Sequence, residues 1–162
     1  MDKNNFFIKT QIESNINDVE NLLSTGVFSD AILRPFQESV FVSVILKLDD
    51  LLQKLRILDE RLSFTDDVAS GDITDLVKNI RNAICHLNSP ENMLDKENQI
   101  KFVFNIAMGK SNLISIGEKI IRSDYDDDMA FFYGESRIYL KRHLIRLLKE
   151  AKDTYQKLYP NG

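Results

Sequence analysis

Arg81, Asn82 and His86 bring a permanent cation, an amide and one of the chain's two histidines within six consecutive residues, Arg81-Asn82-Ala83-Ile84-Cys85-His86. A guanidinium keeps its charge at every physiological pH and offers a planar fork of donors that matches a phosphate. An imidazole exchanges a proton near neutrality. Together the two groups can break a phosphodiester without a metal. Neutral His86 would take the proton from a ribose 2′-hydroxyl, or its charged form would protonate the leaving 5′-oxygen. Arg81 would hold the phosphate and stabilise the charge gathering on its non-bridging oxygens. Asn82 would orient the imidazole or bind the scissile phosphate. This chemistry requires no cofactor and no metal.

Other residues compete for attention. Arg137 and His143 make a second arginine–histidine pair, with five intervening residues, but within what reads as one long helix, without a following asparagine or a helix stop. Cys85 and His86 are adjacent and point apart on a helix, so partial burial of the thiol at an interface is the simpler reading than a nucleophile. The acidic run of Asp124, Asp126, Asp127 and Asp128 reads as the first turn of a helix, where negative charge meets the macrodipole favourably, rather than as a cation site. Gly109-Lys110-Ser111 lacks the upstream glycine of a phosphate-binding loop. Arg142, Arg146 and Lys149, on a cationic band toward the end of the chain, are candidates for tracking an RNA backbone.

The elements that must carry these residues read as mostly helical. Ile12, Ile16, Val19, Leu22 and Leu23 mark an apolar face ending near Gly26, a C-cap. A longer helix runs from about Pro35 to about Asp59, its stripe being Phe36, Val40, Val44, Leu48, Leu51, Leu52, Leu55 and Leu58. The span 64–71 is a polar loop, and Asp72 caps the next helix with Asp75 three residues on. In that helix Ile73, Leu76, Val77, Ile80, Ile84 and Leu87 form the core stripe. Arg81 and His86 leave opposite flanks of it, about 140° apart in an ideal helix. One straight helix therefore presents them poorly to a single phosphate. Either the helix unwinds before His86, or two copies of the motif meet across a dimer. Leu87-Asn88-Ser89-Pro90 is a natural stop.

Beyond Pro90, residues 99–107 alternate as a strand, and Gly109 to Asn112 would turn into a second strand, a small hairpin near 99–117; a helical stretch is the alternative, since 102–106 is short. A last helix should begin among Asp124 to Asp128 and run to about Tyr159, with Leu140, Leu144, Leu147, Leu148, Ala151, Tyr155 and Leu158 inward and Gly134 at a kink or a tight helix crossing. The expected fold is mainly α: a single-domain bundle of four to five helices over residues 1–162 with a possible small β-hairpin.

Composition narrows the context. The chain has 162 residues, 43% hydrophobic and 28% charged, with one cysteine and a net charge of −4. No apolar run is long enough to span a membrane, the N-terminal stretch is too polar for a signal peptide, and a disulfide framework is excluded. A cytoplasmic protein with no membrane partner is expected. The negative balance disfavours indiscriminate nucleic-acid binding, so any RNA contact must come from a local patch.

The order R-N-x-x-x-H on a helical segment just before a turn resembles the signature of the HEPN superfamily (higher eukaryotes and prokaryotes nucleotide-binding). The likeness covers Lys78 to Pro90. It implies a metal-independent endoribonuclease of a toxin–antitoxin or phage-defence system, a homodimer sharing one cleft. Arg81 and His86 would be catalytic with Asn82 assisting, and the products would be a 2′,3′-cyclic phosphate and a 5′-hydroxyl. A neutralising antitoxin, or another partner, would be a separate chain. The alternative is a non-catalytic HEPN-like helical module for interaction or ligand binding.

Overall fold

The computed structural model describes residues 6–86, 92–95, 100–101 and 103–160, and they divide into two compact units, Met1–Phe64 with Leu147–Gly162, and Thr65–Arg146. The first unit is helical. α1 spans Phe6–Ser24 and packs along α2, Arg34–Ile57. Ile8, Ile12, Ile16 and Val19 are buried on α1. Phe41, Val44, Ile45, Leu48, Leu51, Leu52 and Leu55 are buried on α2. Pro35 sits in the first turn of α2, where its missing N–H has no intrahelical partner to lose. Gly26 ends the α1 region with φ 74°, a left-handed position that suits glycine. Polar ties reinforce the helix pair: buried Asn15 donates to Asp50 at 2.7 Å and Lys47 pairs with Asp18 at 2.7 Å. One residue of the expected α2 stripe is misplaced, for Phe36 is 60% exposed.

The second unit is not a bundle. α3, Ile73–Cys85, packs against a three-stranded antiparallel sheet. The described strands are β1 Met93–Asp95, β2 Ile100–Lys101, β3 Asn105–Met108, β4 Ser111–Ile116, β5 Lys119–Ser123, β6 Met129–Tyr133 and β7 Ser136–Tyr139. The sheet order is β3-β6-β7, and β1-β2 and β4-β5 form separate antiparallel pairs. Ala107, Ala130, Phe132 and Tyr139 gather on one face of the sheet with Ile121 of β5, Leu113, Ile114 and Ile116 of β4, and Tyr125. The other face carries Phe131 opposite Ile138, with Phe104 stacked on Phe131 at 6.2 Å.

Several expectations are corrected here. The fold is α+β, not a mainly α helical bundle: seven strands stand among the described residues where one small hairpin was expected. The expected strand partners near 99–117 do not pair with each other. β3 pairs with β6, and Gly109 lies at the end of β3 with its N–H on the Asp128 carbonyl. The real hairpins turn at Gly117-Glu118 and Gly134-Glu135, two-residue loops whose glycines have φ 58° and 56°. Gly134 is thus a hairpin turn rather than a helix kink. The acidic run is not a first helical turn either. The terminal helix begins only after β7, as a wide π-helical turn over Leu140–Ile145 continuing into α4, Arg146–Leu158. Every residue of β6 is buried. A strand covered on both faces loses its alternation, so its sequence reads as an apolar helical run.

The acidic run nevertheless caps that helix, from a distance. The Asp128 carboxylate is fully buried and accepts the N–H groups of Lys141 at 2.9 Å and Arg142 at 3.0 Å, besides its own neighbour Met129 at 2.8 Å. The first N–H groups of a helix have no intrahelical acceptor. Here a residue at the start of β6 supplies one.

Candidate active site

α3 begins as the sequence requires. The Asp72 side chain accepts the Asp75 N–H at 3.0 Å, and Asp75 returns a bond to the Asp72 N–H, a reciprocal box that fixes the first turn. Ile73, Leu76, Val77, Ile80 and Ala83 are buried. Ile84 is half-buried, and Leu87 lies outside the described residues, as does the stop at Asn88-Ser89-Pro90.

At the other end the helix stops at Cys85. His86 has an extended backbone, φ −126° and ψ 94°, and its N–H closes the last turn onto the Asn82 carbonyl at 3.0 Å. Of the two ways around the 140° problem, unwinding before His86 is the one present in the single chain. His86 and Cys85 are exposed, so the chain by itself gives the thiol no interface burial. Arg81 and Asn82 are half-buried on the helix, and the Arg81 Nη1 donates to the Asn82 Oδ1 at 3.2 Å. Asn82 therefore touches both proposed partners, holding the guanidinium with its side chain and the histidine backbone with its carbonyl. That role differs from orienting the imidazole.

A further residue joins them. Asn92 is buried, and its Nδ2 donates to the Ala83 carbonyl at 2.8 Å and the His86 carbonyl at 3.0 Å. The sequence alone does not mark it, because a cap supplied from well beyond the helix leaves no periodic trace. An asparagine following a Pro-containing stop was the only available cue.

The second arginine–histidine pair is structural. His143 is fully buried in the π-helical turn, where its Nδ1 accepts the Tyr139 N–H at 3.1 Å and its Nε2 meets the Asp66 carbonyl at 3.0 Å. An N–H pointing at Nδ1 leaves the ring proton on Nε2, which donates to Asp66, so both nitrogens of a neutral ring are committed. Burial holds the ring's pKa below the ordinary histidine value, against the raising influence of Asp66, Asp67 and Asp128. Arg137 lies 5.0 Å from the Tyr139 ring centre and pairs with Asp124 at 2.6 Å.

Two residues of the cationic band are likewise engaged. Arg142 stacks 3.7 Å over Tyr125 and pairs with Asp127 at 2.9 Å and Asp128 at 3.1 Å. Arg146 pairs with Asp66 at 2.8 Å. Lys149 is exposed on α4. A phosphate backbone would have to displace carboxylates to be held by either arginine.

The first unit has a groove of about 550 Å³ between α1 and α4, lined by Glu13, Glu20, Lys152, Tyr155 and Tyr159 among others, and none of the sequence-derived catalytic residues is in it. Among the described residues no His, Cys, Asp and Glu side chains group as a metal site. No described helix is long and apolar enough to cross a membrane. No family model, curated protein or solved structure matches the chain.

Proposed function

We propose that the C-terminal end of α3 is the catalytic centre of a metal-independent endoribonuclease acting as a homodimer, of HEPN-like type, in a toxin or phage-defence setting. The observation that carries this reading is the end of α3 at Cys85, which leaves His86 exposed on extended backbone while Arg81 stays on the helix, tied to Asn82. Proton transfer needs an accessible ring that can move to a substrate oxygen, and phosphate binding needs a held guanidinium. Neutral His86 removes the 2′-hydroxyl proton, and O2′ bonds to phosphorus. The bond to O5′ breaks, and O5′ takes a proton from water. The products are a 2′,3′-cyclic phosphate and a 5′-hydroxyl. The α+β architecture departs from an all-helical bundle, so the HEPN likeness rests on Lys78 to Pro90.

A labelled structured RNA incubated with the protein in EDTA tests the reading. Cleavage that persists in EDTA, leaves a cyclic phosphate and disappears in both R81A and H86A is the expected result. Mixing R81A with H86A subunits should restore partial activity, since each heterodimer keeps one wild-type copy of each residue. A monomer that cleaves RNA removes the shared cleft. Wild-type protein that leaves every RNA intact, tRNA included, removes the enzyme.

A second reading is favoured by a different observation. Phe6 and Phe7 of α1 are 71% and 76% exposed, and Ile32 and Phe36 beside the start of α2 are 83% and 60% exposed. Large apolar side chains left on a helical unit suit a module that binds another protein. On that reading, the same RNA experiment gives no cleavage, and polar replacements of these four residues abolish association.

A further inference from the structure

The end of α3 is held by a device that an ordinary helix stop does not need. Helices commonly finish on a glycine whose own backbone satisfies the last carbonyls. Here those carbonyls are capped by a buried amide at the threshold of β1. Both Nδ2 hydrogens of Asn92 are used, one on Ala83 and one on His86. The Asn92 Oδ1 is buried without a donor among the described residues. Rotating the amide would relieve nothing, because it would set the oxygen against two carbonyls and bury the NH2 group instead. The arrangement fixes His86 from both sides: its N–H is tied to Asn82 and its carbonyl to Asn92.

We infer that Asn92 is the positioning residue of the site, clamping His86 out of helical register so that its imidazole is presented at a fixed place relative to Arg81. The catalytic part of this inference rests on the ribonuclease reading, and the geometric part does not. Asn92 touches no substrate atom. It acts through the backbone of the residue that does. Loss of the clamp allows α3 either to fray or to wind on through His86, and either motion displaces the ring.

The test uses the intact chain and the N92D variant, which keeps the side chain's shape and replaces both donors with acceptors. The His86 amide proton should exchange at least about tenfold faster in N92D, while the melting of the protein as a whole stays cooperative. The His86 Cα chemical shift should leave its wild-type value. Cleavage should lose roughly 10- to 100-fold in kcat with KM nearly unchanged, the signature of misplacement rather than lost binding. Asn92→Ser, which retains a donor, should recover part of the protection and part of the rate. Unchanged His86 exchange and shift in N92D would overturn the clamp. If wild-type protein cleaves no RNA yet His86 protection collapses in N92D, the clamp stands and the ribonuclease reading falls. If N92D does not fold, the wild-type protein decides. Slow exchange of the Asn92 side-chain protons, comparable with the His86 amide, supports the clamp, and fast exchange overturns it.

Discussion

Replacing His143 by glutamine should make the protein's stability nearly independent of pH across a window where the wild type is not. The ring is fully buried, accepts from the Tyr139 N–H and reaches the Asp66 carbonyl. Asp67, Asp128, Arg137 and Tyr139 surround it, and burial dominates in holding its folded pKa below the ordinary histidine value. The unfolded chain therefore binds a proton that the folded chain refuses as the pH falls from about 6.5 toward the folded value. Unfolding gains protons in that interval, so stability falls on acidification, with a slope approaching about 1.4 kcal/mol per pH unit. Glutamine has an NH2 group to donate and a carbonyl oxygen to accept, and can serve both backbone partners without titrating. It should cost about 1–2 kcal/mol at pH 7.5 for imperfect packing and then remain flat to pH 5. Alanine would forgo both bonds and the ring's packing, for about 4–6 kcal/mol, comparable with the whole stability of many domains. Urea titrations followed by near-ultraviolet tyrosine circular dichroism, at pH 7.5, 6.5, 5.5 and 5, give the curves. Parallel curves for wild type and His143→Gln would refute the assignment of a neutral, doubly bonded ring.

Arg81→Lys keeps the charge and removes the fork, so cleavage should fall at least about a hundredfold with stability within about 0.5 kcal/mol of wild type, checked by single-turnover assay and thermal melting. Gly71 has φ 74°, and a β-carbon there would lie 2.8 Å from the Asp75 Oδ2. Gly71→Ala should therefore strain the turn and disturb the capping box, for about 1–3 kcal/mol by urea unfolding. Gly117→Ala meets no neighbouring atom, so only its φ of 58° is strained and about 1 kcal/mol is expected in the same assay. Asp128→Ala leaves the N–H groups of Lys141 and Arg142 and the Arg142 guanidinium without their shared carboxylate, and calorimetry should show a loss of about 3–5 kcal/mol.

The first three helices and the caps at Gly26 and Asp72 were legible because each is written within a few consecutive residues: a stripe at helical spacing, a capping side chain, a breaker. The β-rich half was not. Met129 to Tyr133 is a continuous apolar run, since the sheet is covered on both faces there, and the run carries no period of two. The cue that survived was the pair of Gly-Glu turns, at 117–118 and 134–135, each between residues that pair across a hairpin. At the candidate site, Arg81, Asn82 and His86 could be named from local order, and even the unwinding before His86 was one of two options that helical angles left open. Asn92 and the Asp128 cap could not be named. Their importance exists through partners brought near by the fold, and for Asn92 the neighbouring sequence offers no more than a Pro-containing stop just before it. His143 shows the reverse hazard, a residue whose type suggested chemistry and whose surroundings make it part of the core.

The distant cap on the terminal helix also bears on the order in which the chain can acquire structure. Helix nucleation is the unfavourable step, because several residues must be fixed before the first bonds reward them. At Leu140–Ile145 the reward is assigned to a carboxylate just ahead of β6, and β6 is paired with β7 where Asp128 meets Lys141 and Arg142. The hairpin is therefore a template for the helix that follows it. A peptide covering residues 140–158 should be markedly less helical than one covering residues 128–158, and substitutions at the Gly134-Glu135 turn should slow formation of the helix as well as of the hairpin. The last helix of this chain is conditional: the acceptor for its first N–H groups lies outside it, on the residue that precedes β6.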